Sequence, residues 1–427
     1  MAYQRRLIDD TLDELSPHLA AIALEGAKGV GKTATGSERA RTILDLSDDP
    51  QQIALSANVG LIRTLPAPVL IDEWQLVPQV WNEVKRAVDA DLTGGQFLLA
   101  GSAGIAPGVR IHSGAARIVS LKMRPLSLAE RGVGIPAVSL RELIKGKRAQ
   151  LPAIGSPLRV PDYADEILAS GFPGIRPLPE RARDIQLDSY ITRIVQRELV
   201  ENGAEVRRPD AMVSWLRAYG AATATNAAYS TILDAATPGE TNKMARSTVT
   251  AYREHLTRLF ILDPIPAWIP VFNPLKRLTN TPKHHLVDPA LAARLVGVGK
   301  DGLLLGEGQR VGGTTGVWLG ALFESLAAQS IRVYADAADA TVSHLRTRQN
   351  GSSAREIDLI VESKDRRVVA IEVKLSPAVT DKDVRHLNWL EEQIGDRLAD
   401  KVVVNTGEYA YRRPDGVAVI PLALLHH

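Results

Sequence analysis

Short apolar runs of strand length recur through the front of the chain: AAIALEG, PAPVLIDEWQ, QFLLAGSAG and ARIVSLKMRPLS, separated by stretches with helical spacing. Strands alternating with helices predict a parallel sheet covered on both faces. A passage rich in Pro and Gly follows, GKRAQLPAIGSPLRVPDYADEILASGFPGIRPLPE, and reads as a linker enclosing one short helix. From Gln186 to about His285 the rhythm turns helical. DSYITRIVQRELV, DAMVSWLRAYGAATA, AYSTILDAA and ARSTVTAYREHLTRLFIL each carry apolar residues at i, i+3, i+4. Beyond Gly316 comes a helix, VWLGALFESLAAQSI, then strand-like AREIDLIVES and RVVAIEVKLS, a polar helix, and DKVVVNTG. Three regions are expected, at 1–150, 151–285 and 286–427.

Composition narrows the classes. A chain of 427 residues is too long for one ordinary core. Apolar residues at 45% and charged residues at 23% are those of a globular protein. Lys and Arg total 51 against 49 acidic residues, which argues against a blanket of positive charge while leaving room for a local basic surface. With no cysteine, disulfides, thiolate zinc sites and a thiol nucleophile are excluded. MAYQRRLIDDTLDELSPHLA turns acidic early and lacks the apolar segment of a secretory signal. Aliphatic stretches fall far short of the ~20 residues that span a bilayer. A cytoplasmic protein without membrane contact is expected.

The chemistry begins at ALEGAKGVGKTAT. Gly26, Gly31, Lys32 and Thr33 satisfy G-x-x-x-x-G-K-[ST], within the loop Gly26, Ala27, Lys28, Gly29, Val30, Gly31, Lys32, Thr33, Ala34. Glycines let successive N–H groups point at a polyphosphate where the following helix begins. Lys32 would reach the β- and γ-phosphates and Thr33 would bind Mg²⁺. A Gly-rich turn with an exposed lysine is the plain alternative, but an apolar strand before the motif and a helix after it favour the phosphate loop. PVLIDEWQ then ends a strand in Asp72 and Glu73, a metal-side carboxylate and a proton acceptor for an attacking water. The alternative is an acidic pair opening a helix. Ser102, after QFLLAG, could align that water or touch the γ-phosphate, or be a plain turn serine. No N-K-x-D follows, so ATP is favoured over GTP.

The middle region reads as a helix-turn-helix followed by a β-wing. MARSTVTAYREHL is its recognition helix, capped by Ser247, with Thr248, Thr250 and Arg253 on the polar face, and DPIPAWIPVFNPLKRL is the wing. Between Gln186 and His285 there are 12 Lys/Arg against 9 Asp/Glu, only a mild suitability for DNA. Protein contact is the other reading.

In the last region Asp358 and Glu372 stand 14 residues apart at strand edges, and Lys374 follows Glu372 on the same strand face. With Glu324 on the preceding helix, this D…E-x-K pattern resembles the PD-(D/E)-x-K nuclease fold, which implies Mg²⁺ on Glu324, Asp358 and Glu372 and a water-orienting Lys374. An edge strand with a solvated Glu–Lys pair is the alternative, and such a fold does not guarantee activity. The nine histidines, His284 and His285 among them, show no H-x-E or H-E-x-x-H spacing and read as structural.

GAKGVGKT, LIDEWQ, LLAGS, GAARIVSLKMRPLSLAE, GFPGI, VDPAL, GALFESL and REIDLIV…IEVK occur in this order along nearly the whole chain. In them the sequence resembles the bacterial and archaeal AAA-like P-loop ATPases that carry a C-terminal DUF4143 domain. The resemblance implies an additional-strand ATPase sheet with ATP and Mg²⁺ at the residues named. It also implies a charge-neutralising role for Arg117 on a neighbouring subunit's nucleotide. The family's Gly-Arg pair reads Ala116-Arg117 here, and a surface salt bridge is an equal alternative.

The expected fold is an α/β P-loop domain of AAA-like type, then a helical winged-helix domain, then an α/β nuclease-like domain. The expected function is Mg²⁺-dependent ATP binding and hydrolysis coupled to those two modules acting on DNA, with a protein partner or a homo-oligomer as further expectations. An ATP-regulated DNA endonuclease, or a nucleotide-dependent protein-binding switch with an inactive nuclease fold, are the alternatives.

Overall fold

The four apolar runs of the front region all become strands of one parallel sheet. A computed structural model describes residues 3–102, 114–146, 151, 153–237, 244–268, 281–306, 308, 317–347 and 355–427. Strands β1 (Ala21–Glu25), β2 (Thr42–Asp45), β3 (Val69–Asp72), β4 (Phe97–Gly101) and β5 (Ile118–Lys122) lie in the order β2-β3-β4-β1-β5. β1 is central, in register with β4 from Ala21↔Phe97 to Glu25↔Gly101 and with β5 from Ala21↔Ile118. β3 and β4 are buried along their whole length, as helices on both sheet faces require, whereas edge strand β2 is half-exposed. In a parallel sheet every strand ends at the same edge, and loops there face one crevice. Gly26, Asp72 and Ser102 all sit at that edge.

The middle region is helical as expected, with helices at Val160–Ala169, Glu180–Arg193, Pro209–Ala221, Tyr229–Ala236 and Arg246–Arg258. The second of these runs on through a π-helical turn at Ile194–Glu198, a distortion common at functional positions. Trp215, Tyr219, Ile232 and Leu256 fill the core between them. One detail departs from the sequence reading. The Arg246–Arg258 helix takes Ala245 as its N-cap, with no side-chain cap bond. Because Arg246 is already helical, Ser247 lies inside the first turn, exposed, and cannot cap it. Thr250 is exposed and Thr248 half-buried, while the Arg253 guanidinium stacks over the Tyr229 ring at 4.2 Å. Leu262↔Leu286 and Ile265↔Lys283 pair antiparallel, like the arms of a hairpin. The remainder of the expected wing, 269–278, falls outside the described residues.

The last region is a mixed sheet in the order β11-β12-β10-β9-β8-β7, from β7 (Ala340–Thr347), β8 (Arg355–Ser363), β9 (Val368–Val373), β10 (Leu398–Asn405), β11 (Tyr411–Arg412) and β12 (Ala418–Pro421). The Trp318–Ala337 helix is apolar on almost every face and lies buried between this sheet and the middle helices. The chain beyond the front sheet returns to this region: β6 (Val138–Ser139) pairs with β13 (Leu425–His426). No helix among the described residues is long and apolar enough to cross a membrane.

Candidate functional site

The loop after β1 is shaped by its glycines. A Cβ on Gly26 would lie 2.2 Å from the Met123 carbonyl oxygen, so only glycine fits there. Gly29 and Gly31 adopt φ of +83° and +107°, backbone that glycine reaches without strain. Ala27 and Val30 are wholly buried, anchoring the loop from below. Arg6, buried and unremarked in the sequence, pins it from behind. Its guanidinium donates to the Val30 carbonyl at 3.0 Å, to the Arg124 carbonyl at 2.9 Å and to Glu130 Oε1 at 2.9 Å. Burial alone would raise the Glu130 pKa, but Arg6 and the N–H groups of Leu7 and Ser127 hold it below the usual range. This binds the PLSLAE segment to the loop.

Lys32, only 6% exposed, is folded back on the loop and donates to the Gly26 and Ala27 carbonyls at 2.8 and 3.0 Å. Burial pushes its pKa down to about 8, partly opposed by Glu73 and Asp72. Thr33 Oγ1 donates to Asp72 Oδ2 at 2.7 Å, joining the loop to the end of β3. Desolvation raises the Asp72 pKa despite that bond. Glu73 stands at φ +50°, a left-handed conformation for a side chain that must reach back over the crevice. It accepts a hydrogen bond from the Gln75 amide and a long one, 3.5 Å, from Ser102 Oγ. The structure thus brings Lys32, Thr33, Asp72, Glu73 and Ser102 together. A hydroxyl and a carboxylate are hard oxygen donors, so Thr33 and Asp72 fit Mg²⁺.

Arg117 lies elsewhere. It precedes β5, at the sheet edge opposite the loop, and pairs with Asp89 at 2.6 Å while 41% exposed. Within one chain it belongs to a surface ion pair and not to this site.

A cavity of ≈ 390 Å³ adjoins the loop, lined by Lys28, Gly29, Ser102, Phe172, Tyr190 and Arg193 among others. The Glu180–Arg193 helix and its π-helical continuation close it, as the Tyr190 hydroxyl donates to the Lys28 carbonyl at 3.0 Å and Glu198 pairs with Lys28 at 2.9 Å. GFPGI and VDPAL meet nearby, where Asp288 accepts from the Gly171 N–H at 2.7 Å and caps its own helix through Ala290 N–H at 2.8 Å.

In the last region Glu324, Asp358, Glu372 and Lys374 also converge, but around a group no spacing had marked. Lys283 Nζ lies 2.6 Å from Glu324 Oε1, 2.8 Å from Asp358 Oδ1 and 3.4 Å from Glu356 Oε1. Asp358 Oδ2 accepts from the Val373 N–H at 2.9 Å, and Lys374 pairs with Glu372 at 3.2 Å. Burial and neighbouring Asp358 push the Glu372 pKa well up. Lys283 itself is held protonated: burial works against the charge, and Asp358, Glu324 and Glu356 outweigh it. The carboxylates expected to hold Mg²⁺ do assemble, yet an ammonium lies among them, and no group of three His, Asp or Glu among the described residues is arranged to hold a metal. His284, bonded to the Ala227 carbonyl at 2.8 Å, and His285, 3.2 Å from Ser325, are buried packing histidines.

Lys283 could not be found by pattern, because its partners lie 41 to 75 positions away. The same holds for Asp263, which gathers Lys122 at 2.7 Å, Arg124 at 3.0 Å and Arg332 at 2.9 Å.

Three family models match the chain: an AAA domain over residues 19–131, a domain of unknown function, DUF8612, over 160–302, and another, DUF4143, over 319–425. Uncharacterised proteins of Mycobacterium tuberculosis and Mycobacterium bovis are each 24% identical over 409 residues, covering 94% of this chain and 79% of theirs. A solved half-complex from a tetradecameric assembly of Thermococcus gammatolerans McrB AAA+ hexamers with bound McrC aligns at 13% identity and a TM-score of 0.20. That alignment covers 50% of this chain and about half, 47%, of the other, too weak a likeness to carry an argument. The AAA match spans β1 to Arg131 and takes in every residue of the crevice, and the DUF4143 match spans the mixed sheet. The chain thus matches an AAA domain at its front and a DUF4143 domain in its last region.

Proposed function

We propose that the front crevice binds ATP with Mg²⁺ and hydrolyses it, and that the nucleotide state is passed to the middle and last regions. The observation that carries this is the Thr33–Asp72 hydrogen bond of 2.7 Å beside a buried lysine held only by neutral carbonyls. Lys32 exchanges those carbonyls for the terminal phosphates, while the loop N–H groups around Val30 face the remaining oxygens. Thr33 and Asp72 hold Mg²⁺, which when bound offsets charge on the phosphate oxygens. Glu73 takes the proton of the attacking water and Ser102 orients it. Tyr190, backed by the buried Phe172 ring 5.1 Å away, offers an apolar wall to the base and ribose. Lys122, at the end of β5, reaches Asp263, which also holds Arg332 of the Trp318–Ala337 helix, so a shift in the front sheet is felt in both other regions.

The middle region is proposed as a winged-helix module gripping DNA or a protein. Phosphate release measured for the wild-type chain and Lys32→Ala, with and without duplex DNA, tests the reading. Loss of release in the variant and stimulation by DNA support it. Release unaffected by the substitution removes it, and DNA binding that ignores salt removes the DNA part.

A further inference from the structure

We propose that the C-terminal carboxylate cluster takes its cation from the chain itself: the Lys283 ammonium stands where the D…E-x-K arrangement calls for a divalent ion, making this centre a sealed ionic core without metal-dependent cleavage. The inference is independent of the ATPase reading.

The ammonium itself is enclosed. Lys283 has a side chain 1% exposed, so its charge has no water to fall back on, and Glu324 and Asp358 take two of its three N–H donors at 2.6 and 2.8 Å. Glu356 stands at 3.4 Å as a third counter-charge. Both oxygens of Asp358 are engaged, one by Lys283 at 2.8 Å and the other by the Val373 N–H at 2.9 Å. Glu372, the remaining expected ligand, is held by Lys374 at 3.2 Å. A divalent ion would join two ammonium groups already in place, and it could bind only by displacing Lys283.

That displacement is resisted by the backbone. Lys283 and Ile265 exchange two main-chain hydrogen bonds of 2.9 Å, which fix the root of the lysine in the pair of arms entering from the middle region. The same arms are tied to the mixed sheet, where Trp268 N–H donates to the His344 carbonyl at 2.6 Å and its indole to Glu362 at 2.8 Å. An ammonium expelled from the carboxylates would remain buried without a partner, a strongly unfavourable state. Lys283 thus joins two regions of the molecule through the pocket where a nuclease of this pattern would hold its metal.

The test is Mn²⁺ uptake by the full-length, nucleotide-free chain carrying Thr33→Ala to remove the front hydroxyl, followed by electron paramagnetic resonance of the free ion. With Lys283 present, no Mn²⁺ dependent on Glu372 is retained. In a folded Lys283→Met chain, about one Mn²⁺ is gained, and the thermal midpoint, lowered by the substitution, rises again with the ion. The proposal is overturned if the Lys283 chain retains Mn²⁺ that Glu372→Gln abolishes, or nicks plasmid with Mn²⁺ through Glu372. A folded Lys283→Met chain that takes up no Mn²⁺ overturns it equally. Should Lys283→Met fail to fold, uptake by the Lys283 chain with and without Glu372→Gln decides alone.

Discussion

Two buried lysines, Lys32 in the front crevice and Lys283 reaching from the middle region into the carboxylates of the last, are driven in opposite directions by their surroundings. Both lose hydration. Lys32 meets two carbonyls, with its carboxylates Glu73 and Asp72 acting only at a distance, and its pKa falls to about 8. Lys283 meets Glu324, Asp358 and Glu356 directly, and its pKa rises well above the ordinary value. A buried ammonium left short of counter-charge is poised for an anionic ligand, while one already neutralised is structure. On the proposed reading the same residue type is a binding group at one place and a lock at the other.

The largest effect expected is on turnover. Lys32→Ala removes a charge aimed at the phosphates and lowers the ATPase rate about 100-fold or more, measured as phosphate release, with little change in thermal stability. Next comes stability at the other lysine. Lys283→Met strands Glu324, Asp358 and Glu356 and costs about 3–5 kcal/mol in denaturant unfolding. If Lys283→Met proved harmless while Lys32→Ala unfolded the chain, the contrast would be reversed.

The pH response separates the two lysines further. With its pKa lowered from 10.5 to about 8, Lys32 in the free chain is neutral above that value. Nucleotide binding needs the ammonium, so affinity falls up to about tenfold per pH unit above 8. The charged form being disfavoured in the folded state, this lysine adds stability as pH rises from about 8 towards 10.5. Lys283 has the opposite sign. Its pKa is raised, so its contribution is fully present below the unfolded value of 10.5 and is lost only as pH climbs through the folded one. Affinity and stability measured between pH 7 and 10 check both. The smallest effect belongs to Glu372→Gln. Burial and Asp358 push the pKa of this carboxyl well up and disfavour its charged form, so a neutral amide of the same shape changes stability by no more than about 1 kcal/mol.

What the sequence disclosed follows from how local each signal is. The front sheet and its crevice were legible because β1 leads directly into the glycine loop and Asp72 and Ser102 each end an apolar strand, so local pattern and function coincide. The helices of the middle region were legible from their spacing, but the cap of Arg246–Arg258 was not. A serine near a helix start says little about which residue first turns helical, and Ala245 served instead. The D…E-x-K strands were legible too, and their carboxylates do converge. The cation among them was not, since Lys283 comes from a polar stretch beyond the candidate wing and meets its partners only where the middle and last regions pack together. Arg6 and Asp263 escaped for the same reason, each a charge whose ion-pair partners lie more than 60 positions away.

The most direct test of the contrast is calorimetric titration of the full chain with a slowly hydrolysed ATP analogue and Mg²⁺ at pH 7 and pH 9, in buffers of different ionisation heat. The account predicts binding that requires Lys32, with close to one proton taken up per nucleotide at pH 9 and almost none at pH 7. Binding that survives Lys32→Ala, or that takes up no proton at pH 9, would contradict it.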